Sequence, residues 1–558
     1  MFEVLDFRLT QAIYMTAVIT TFAVSPWSNF DPISLPKMFV LSVGSFAILG
    51  LLLGSHKYFL TKSNRLYFLL SFLFVCLMIS TVLFSNADFY SQVWGTFGRN
   101  TGFLTYLSLI IMSLATSVVQ NKTLYERILF VFVFSAIPMV AYCSFQILGL
   151  DPIGWSEKFA FGTLGNVNFL SAYFGLTSVC SLVLCTSKKI RGNIRIVLIL
   201  SAFIEVYIAL YTKSIQGPII FVIGTAVAIM LYIISFPKTR LRTYLLFAFS
   251  ITGVISFLLL IYALVNKGPL ASFIYQPSIV FRADYMHAGY KMMLQQPWTG
   301  VGLDNYGSWY REVRGEISTL RTGPNRISNS AHNILLDIGS GGGVLLALCY
   351  IFLNLLVLVS IVRLLQKGQA GNPIFVASVS VWVAYHVQAS ISINQIGVGV
   401  WGWILSGLII GLSKCDFDSS QSTHLLTKAA KNTQLDAKVP IFVFFGALFG
   451  FFSAFSPLNA DIAYRNATKT GQFEKIYAAT NKPGSTEFHK ELLLDFTQKN
   501  RLESEGWMVA NEITKRYPRN FYAWAMLSVS SIGNVEEHRI AREKSQKLDP
   551  FNPEFKNP

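Results

Sequence analysis

The sequence predicts an all-α protein: a polytopic bundle of about thirteen transmembrane helices, followed by a soluble C-terminal helical domain. Three observations support this fold class. Hydrophobic residues form 53% of the 558-residue chain and charged residues only 13%, with a mean hydropathy of +0.49, unlike a soluble protein. Apolar runs of about 18 residues or more, each able to cross a bilayer, recur as far as Phe455. Beyond that residue the chain turns polar.

The predicted spans follow these apolar runs in order. They lie near residues 10–26, 36–54, 66–84, 102–119, 127–149, 168–186, 195–212, 217–236, 243–265, 332–362, 374–390, 395–413 and 439–456. No small-residue cleavage site follows the first run, so we expect it to remain as the first span.

Basic residues cluster in alternate connections, which predicts the orientation of the bundle. The clusters are Lys57, Lys62 and Arg65; Lys122 and Arg127; Lys188, Lys189, Arg191 and Arg195; Lys238, Arg240 and Arg242; Arg363 and Lys367; and Lys414, Lys428, Lys431 and Lys438. They predict a cytoplasmic (inner) membrane protein with a cytoplasmic N-terminus. The outer loop, residues 266–331, and the C-terminal domain are then extracytoplasmic.

Most of the net charge of +16 belongs to these membrane connections. The charge therefore indicates contact with membrane lipids and argues against a nucleic-acid partner. The six cysteines lie in or beside apolar runs without metal-ligand spacing, so neither a disulfide framework nor a zinc site is expected.

The C-terminal domain, residues 457–558, shows amphipathic helical patterning interrupted near Pro483, Pro518 and Pro550. This spacing is similar to that of tetratricopeptide repeats, which are about 34 residues long. The pattern predicts two or three degenerate repeats and a protein partner for the domain. An ordinary helical domain with prolines at its helix ends is the alternative.

The first candidate site is the segment SNSAHN, Ser328 to Asn333, where the outer loop meets the tenth span. We expect Ser330 to cap that helix and to leave His332 in its first turn, where the helix dipole disfavours imidazolium. A neutral imidazole could accept a proton from a hydroxyl or orient it. Asn333 could orient the ring or bind sugar. Interfacial anchoring by His332 and capping by Asn333 are the alternatives.

Two further candidate clusters lie in outer connections. Arg282 begins a short predicted helix, and a turn after Pro297 carries Asp304 and Asn305. Arg99 lies in a turn between glycines, against the positive-inside bias. Arginines at this face suit phosphate oxygens, although lipid headgroups would also explain them. Asn166 and Asn168 precede the sixth span as ligands or simple caps.

Other features have weaker interpretations. Phosphate-loop, HExxH and GxSxG motifs are absent from the sequence. Gly339, Gly341, Gly342 and Gly343 are expected to permit close helix packing. Asp337 could pair with a buried cation.

Together these segments resemble the O-antigen ligase and polymerase superfamily of membrane glycosyltransferases. The matching segments, from about Phe84 to Gly411, are GRNTG with Arg99, GNVN with Asn166 and Asn168, TKSIQG at 212–217, the loop from Arg282 to GVGLDN, and AHN with His332. In TKSIQG, Ile215 and Gln216 depart from the family's small-residue-Ser-Arg form. The resemblance assigns residues 1–456 to a ligase-like membrane domain, and many members carry a tetratricopeptide-like tail.

The resemblance implies an enzyme that transfers a glycan from an undecaprenyl-diphosphate donor to an acceptor hydroxyl at the outer face, with no metal or other cofactor. His332 would activate or orient the acceptor. Arg282, Arg99 and Arg326 would hold the diphosphate. The acceptor could be a glycolipid, a growing glycan or a protein. Ligase, polymerase and protein O-glycosyltransferase therefore stay open.

Two other classes of function compete with transfer. A transporter or flippase of a lipid-linked or anionic solute would use the arginines as ligands without chemistry, but would place ionisable residues near the membrane midplane. A scaffold protein would act through its tail alone and would leave His332 and the arginines without a role.

Overall fold

The structure is a computed structural model that describes residues 2–62, 64–119, 121–155, 159–415 and 438–555. These residues form α-helices and short 3₁₀ turns, and no β-strand occurs among them. The all-α prediction is therefore confirmed. Lys428 and Lys431, which entered the orientation argument, lie outside the described residues.

Each predicted span coincides with a helix. Nine helices in the described ranges are long and apolar enough to cross a membrane. They are α2 (Ser34–Gly54), α4 (Arg65–Phe84), α7 (Lys122–Ile147), α8 (Val167–Leu184), α9 (Gly192–Tyr211), α10 (Gln216–Ser235), α11 (Arg240–Leu264), α16 (Ile334–Gln366) and α19 (Lys438–Thr468). Three shorter apolar helices and the first helix occupy the other predicted spans. They are α1 (Phe2–Phe22), α6 (Phe103–Ser117), α17 (Pro373–Ala389) and α18 (Ile396–Leu412).

Short helices form the connections and the tail. The connections contain α3 (His56–Lys62), α5 (Phe89–Trp94), α12 (Ala271–Ile274), α13 (Pro277–Gln295), α14 (Tyr306–Val313) and α15 (Glu316–Thr322). The tail contains α20 (Phe473–Thr480), α21 (Glu487–Lys499), α22 (Glu503–Arg516), α23 (Phe521–Ser528) and α24 (Val535–Leu548). Pro483, Pro518 and Pro550 all lie outside these helices, so the tail is helical with prolines at its breaks. Its assignment to tetratricopeptide repeats stays a prediction.

The bundle is packed around α18, which is buried along its whole length, whereas α11 lies at the periphery. The last span, α19, packs closely on α2. Gly446 and Gly450 lie one turn apart on α19, and a Cβ on Gly450 would lie 2.5 Å from the carbonyl oxygen of Ser42. Small residues with this spacing let two helix backbones approach each other in a membrane.

The two ends of the bundle carry different groups. At one end Lys62 binds Asp6 at 3.1 Å, and the Lys414 ammonium donates to the carbonyl of Lys62 at 2.9 Å. At the other end α19 continues beyond the bundle to Thr468, so the predicted domain boundary at 456/457 lies inside one helix.

Asp461, in the projecting part of α19, joins the tail to the membrane domain. Its carboxylate accepts the backbone N–H groups of Phe30 at 2.6 Å and Asp31 at 3.1 Å, in the connection between α1 and α2. His489 of the tail binds the same carboxylate at 3.2 Å. The carboxylate is fully buried, so these contacts fix where the tail starts.

A second buried carboxylate joins the far end of the tail to the outer loop. Asp549 binds Arg311 at 2.8 Å and Arg314 at 2.7 Å, and both arginines belong to or follow α14. The tail and the outer loop therefore share one end of the molecule.

Candidate active site

The candidate site lies at this shared end, where α13 crosses the start of α16. Arg282 and Tyr285 are three residues apart on α13, so they project from the same face of the helix. The Tyr285 ring packs on the His332 ring, with centroids 5.2 Å apart and planes inclined at 32°. This helix therefore brings an arginine and an aromatic ring to the predicted catalytic histidine.

His332 itself lies in a left-handed turn before α16, with a φ of 55°. Its backbone N–H donates to Ser330 Oγ at 2.9 Å. Its Nδ1 is buried and has no hydrogen-bond partner among the described residues. A buried nitrogen without a partner is costly and is free to bind a substrate group.

The predicted cap of α16 was wrong. The helix begins at Ile334, and Asn333 caps it by accepting the N–H of Leu336 at 3.0 Å. Ser330 instead donates to Asp337 Oδ2 at 2.7 Å. His332 therefore precedes the helix rather than lying in its first turn, while Asn333, which also donates to the carbonyl of Ser390 at 3.0 Å, has a structural role.

The imidazole of His332 is held in its neutral form. Burial lowers the pKa of His332 to about 3, and the positive charges of Arg282 and Arg99 act in the same direction. The structure thus places both arginines within electrostatic reach of the ring. Burial and the two arginines, rather than a helix dipole, thus favour the neutral ring at neutral pH.

Arg99 is the most heavily paired of the three candidate arginines. Its guanidinium lies 3.3 Å from Asp304 and 3.7 Å from Asp337, and it donates to the carbonyl of Asn329. Burial disfavours the charge of Arg99, but the two carboxylates outweigh it, so the net effect raises its pKa. Arg99 therefore ties its own turn to the outer loop and to α16, and Asp337 has the cationic partner that the sequence suggested.

Asp304 and Asn305 are occupied by their own surroundings. Asp304 Oδ2 accepts the backbone N–H groups of Thr96 at 2.8 Å and Thr101 at 3.1 Å. Asn305 donates to the carbonyl of Val301 at 3.0 Å and accepts from Ser308 at 2.8 Å. Asp304 thus anchors the turn that carries Arg99, and Asn305 holds the loop before α14.

Arg282 and Arg326 differ from Arg99 because neither has a carboxylate within 4.0 Å in the part of the chain that the structure describes. The Arg326 guanidinium lies over the Phe281 ring, 5.2 Å from its centroid. Arg282 is half-buried, and burial lowers its pKa. A partly buried cation without a counter-ion favours the binding of an anion. Arg282 meets this condition beside His332, and the exposed Arg326 adds a second cation over the neighbouring Phe281.

Asn166 and Asn168 are not brought to this cluster by any contact among the described residues. Asn166 caps α8 by accepting the N–H of Asn168 at 2.8 Å. Asn168 accepts from the Ser214 hydroxyl at 2.8 Å and so binds the TKSIQG turn between α9 and α10. Both contacts match the capping alternative and leave a ligand role as a prediction.

The glycines of α16 allow close packing, as predicted, since a Cβ on Gly339 would lie 2.6 Å from Met293 Sδ of α13, and they also break the helix. The helix is broken at Gly343, which has a φ of 81°. The loop after α13 lies against this break, where the N–H of Val344 donates to the carbonyl of Pro297 and that of Val301 to Ser340, both at 2.8 Å. The break thus fixes the loop that carries Asp304. Tyr285 and this break are the parts of the site that the sequence did not reveal.

No group of three or more His, Cys, Asp or Glu side chains that could hold a metal ion occurs among the residues that the structure describes. The metal-independent reaction implied by the resemblance stays a prediction.

Comparison with known proteins identifies the segment that carries this site. No curated protein matches the chain. A family model described as O-antigen ligase matches residues 196–351, from α9 to the middle of α16. The match contains Arg282, Arg326 and His332, whereas Arg99 and the tail lie outside it. Over residues 196–351 the chain is therefore similar to the O-antigen ligase family, and this similarity supports glycosyl transfer in a membrane.

Proposed function

We propose that the protein transfers a glycan from an undecaprenyl-diphosphate carrier to an acceptor hydroxyl at the outer face of the cytoplasmic membrane. The observation that supports this most directly is the buried, unpartnered Nδ1 of His332, which lies within electrostatic reach of Arg282, an arginine with no carboxylate within 4.0 Å among the described residues. A base and an anion site in contact are what transfer from a diphosphate needs.

Arg282 and Arg326 hold the diphosphate in this proposal. Neither arginine has a carboxylate within 4.0 Å in the described ranges, so both guanidinium groups can pair with an anion. A guanidinium can bind two phosphate oxygens at once. As the sugar leaves, negative charge grows on the diphosphate, and the arginines stabilise that charge. Arg99 is already bound by Asp304 and Asp337, so its main role is to position the surrounding turns. Its positive charge contributes to the electrostatics of the site without binding the diphosphate directly.

His332 accepts the proton of the acceptor. The acceptor oxygen attacks the anomeric carbon, the bond from that carbon to the phosphate oxygen breaks, and the lipid diphosphate leaves with the electron pair. The hydroxyl proton passes to Nδ1 of His332. A histidine with a pKa of about 3 is a weak base, but a bound diphosphate offsets the charges of Arg282 and Arg99 that help depress it. Donor binding thus prepares the base.

A transporter is the second candidate, because one buried ionisable residue is not used by the transfer mechanism. Glu205 is fully buried within α9, where it accepts from Thr177 at 2.6 Å and Ser201 at 2.5 Å. Intramembrane carboxylates often mark the path of an ion or solute. A transporter would require Glu205, whereas the transfer step would not.

Reconstitution into liposomes separates the two functions. The purified protein would be incubated with a lipid-diphosphate glycan and candidate acceptors, and the products would be analysed by mass. Transfer predicts a glycosylated acceptor together with free lipid diphosphate, retained in a Glu205→Gln variant. Movement of intact donor across the bilayer, without bond cleavage and dependent on Glu205, would replace the proposal by transport.

A further inference from the structure

A large cleft separates the tail from the membrane domain. Its volume is about 900 Å³. Helices α21 and α23 form the tail side of the cleft, and the turn at residues 95–97 together with α14 forms the other side. Pockets of roughly 300–1,000 Å³ are large enough to bury most of a drug-sized ligand, so this cleft can hold a few sugar units.

The cleft adjoins the candidate active site. Thr96 and Asn329 line it, and both contact the Arg99 cluster. The N–H of Thr96 donates to Asp304, and the carbonyl of Asn329 accepts from Arg99. A group attached to a diphosphate at Arg282 would therefore lie near the mouth of this cleft.

Carboxyl groups of α21 form part of the polar lining of the cleft, beside hydroxyl and amide side chains. Glu487, Glu491 and Asp495 lie at successive turns of α21. Burial and the nearby Glu491 raise the pKa of Glu487, and Asn520 Nδ2 donates to both glutamates, at 2.7 and 2.5 Å. Burial raises the pKa of Glu491 as well. A carboxyl group that retains its proton can donate to a hydroxyl through its O–H and accept from one through its carbonyl oxygen.

The basic side chains in the lining are already paired. Arg311 binds Asp549, and Arg519 binds Glu312. Asp495 is paired as well, with Lys499 at 2.6 Å, so the acidic groups of the lining without a cation within 4.0 Å among the described residues are Glu487, Glu491 and Glu554. These groups disfavour an anionic ligand. The diphosphate belongs at Arg282 and Arg326, and the group in the cleft should carry no negative charge.

Aromatic rings provide the apolar part of the lining. Phe97 of the membrane domain stacks on Phe488 of the tail, with centroids 4.6 Å apart and planes inclined at 21°. Phe488 remains 37% exposed and Tyr522 40% exposed. Flat rings offer rigid apolar contact area. A sugar presents both hydroxyls and an apolar C–H face, so it matches carboxyl groups combined with aromatic rings.

We propose that this cleft binds the uncharged oligosaccharide part of a substrate while the reaction proceeds at His332. The inference rests on the proposed function and deepens it. The saccharide belongs either to the donor, extending from the diphosphate, or to the acceptor. Its location beside the anion site favours a saccharide over a peptide, and the tail thereby acts as one wall of the substrate site.

Photo-crosslinking in cells that make the glycan tests the cleft directly. The crosslinking amino acid p-benzoylphenylalanine would replace Val529, which lines the cleft and is 78% exposed. The matched control is Val535, which is 87% exposed and lies outside the lining. A saccharide adduct at 529 but not at 535 is expected. No adduct at 529, equal adducts at both positions, or a protein adduct at 529 would overturn the inference.

The adduct also reveals the source of the saccharide. Mild acid breaks the bond between a sugar and a diphosphate, so a donor adduct would lose its lipid carrier under acid. An adduct with an acceptor that carries no sugar–diphosphate bond would be stable to the same treatment. Either result supports saccharide binding in the cleft and identifies whether the saccharide belongs to the donor or to the acceptor.

The same variants distinguish this inference from the proposed function. In a His332→Ala background, transfer should be lost while the saccharide adduct at 529 persists. If the protein with His332 intact transfers glycan but gives no adduct at 529, saccharide binding in the cleft is refuted and the proposed reaction is not. If it gives the adduct but does not transfer glycan, the proposed reaction is refuted and saccharide binding in the cleft is not. A Val529→Trp variant should raise KM about tenfold or more, and Val535→Trp should leave KM unchanged. Equal KM values would contradict the inference.

Discussion

The arginines around His332 differ in how their charge is balanced, and this difference assigns their roles. Arg99 has two carboxylates and a carbonyl as partners, so it organises the turns. Arg282 and Arg326 have no carboxylate within 4.0 Å in the described part of the chain, so they are suited to an incoming anion. His332 lies close enough to Arg282 and Arg99 for both charges to lower its pKa.

The pH dependence of transfer should reflect this arrangement. The pKa of His332 is lowered to about 3, so in the free protein the ring is deprotonated from about pH 5 to 8. We expect kcat/KM to show no loss from His332 protonation in that range. Bound diphosphate should raise the pKa, so kcat should fall on the acid side at a higher pH than kcat/KM does.

Steady-state rates measured across this pH range check the prediction. Glu487→Gln is the control, because burial and Glu491 also raise the pKa of that carboxyl group. A kcat/KM that falls tenfold per unit below about pH 6.5, in both the unchanged protein and the control, would contradict a neutral His332 in the free protein.

The sequence could select candidate site residues but not predict all of their contacts. Arg282 and His332 stood out because polar residues at a membrane face are costly. The cap of α16 could not be predicted, because Ser330 and Asn333 are both good capping residues. The choice depends on Asp337, which binds the Ser330 hydroxyl at 2.7 Å. Tyr285 was missed because an aromatic residue on an amphipathic helix has no distinctive pattern.

At the scale of elements, the break in α16 positions the site. Gly343 has a φ of 81°, and a Cβ there would lie 2.6 Å from the carbonyl oxygen of Pro297. The chain after α13 runs along the broken helix and then carries Asp304 to Arg99. A continuous helix would displace this segment.

A Gly343→Ala variant should therefore lose both stability and transfer. A non-glycine residue at this φ costs about 1–3 kcal/mol, before the clash with Pro297 is counted. Gly253→Ala is the matched control, because that glycine lies in α11 with nothing within 4 Å of an added Cβ. Thermal unfolding in detergent and the transfer rate would be measured for both variants. A Gly343→Ala protein as stable and active as the control would argue against this role of the break.

The spans were predictable and the break was not. Long apolar runs determine where helices cross, and each predicted span is a helix. The glycines near residue 343 are equally compatible with helix packing, so only the three-dimensional contact with Pro297 reveals their role. The helix that contains the last predicted span continues beyond it, through Pro457 to Thr468.

At the scale of the whole molecule, two buried carboxylates hold the tail on the membrane domain. Asp461 binds the connection between α1 and α2, and Asp549 binds Arg311 and Arg314 beside α14. Arg314 also donates to the carbonyl of Arg326 at 3.1 Å. Arg314 therefore links Asp549 of the tail to Arg326, one of the two arginines proposed to bind the diphosphate. The tail thus supports the site as well as enclosing the cleft.

An Asp549→Ala variant should loosen the outer loop. Removing one partner of a buried ion pair costs about 3–5 kcal/mol, because the other charges stay buried. We expect a lower melting temperature and faster proteolysis of the outer loop, with a higher KM for the donor. Glu536→Gln, which removes an exposed partner of Arg539, is the control and should change none of these. Unchanged stability of Asp549→Ala would show that the tail does not support the loop.

The most direct test of the central claim is the rate of glycan transfer by His332→Ala in liposomes with saturating donor and acceptor. Loss of a general base lowers the rate by roughly 10²–10⁴-fold. We expect a loss of that size while inorganic pyrophosphate, a probe of Arg282 and Arg326, still binds as in the unchanged protein. A His332→Ala protein that transfers glycan at the unchanged rate would contradict the account.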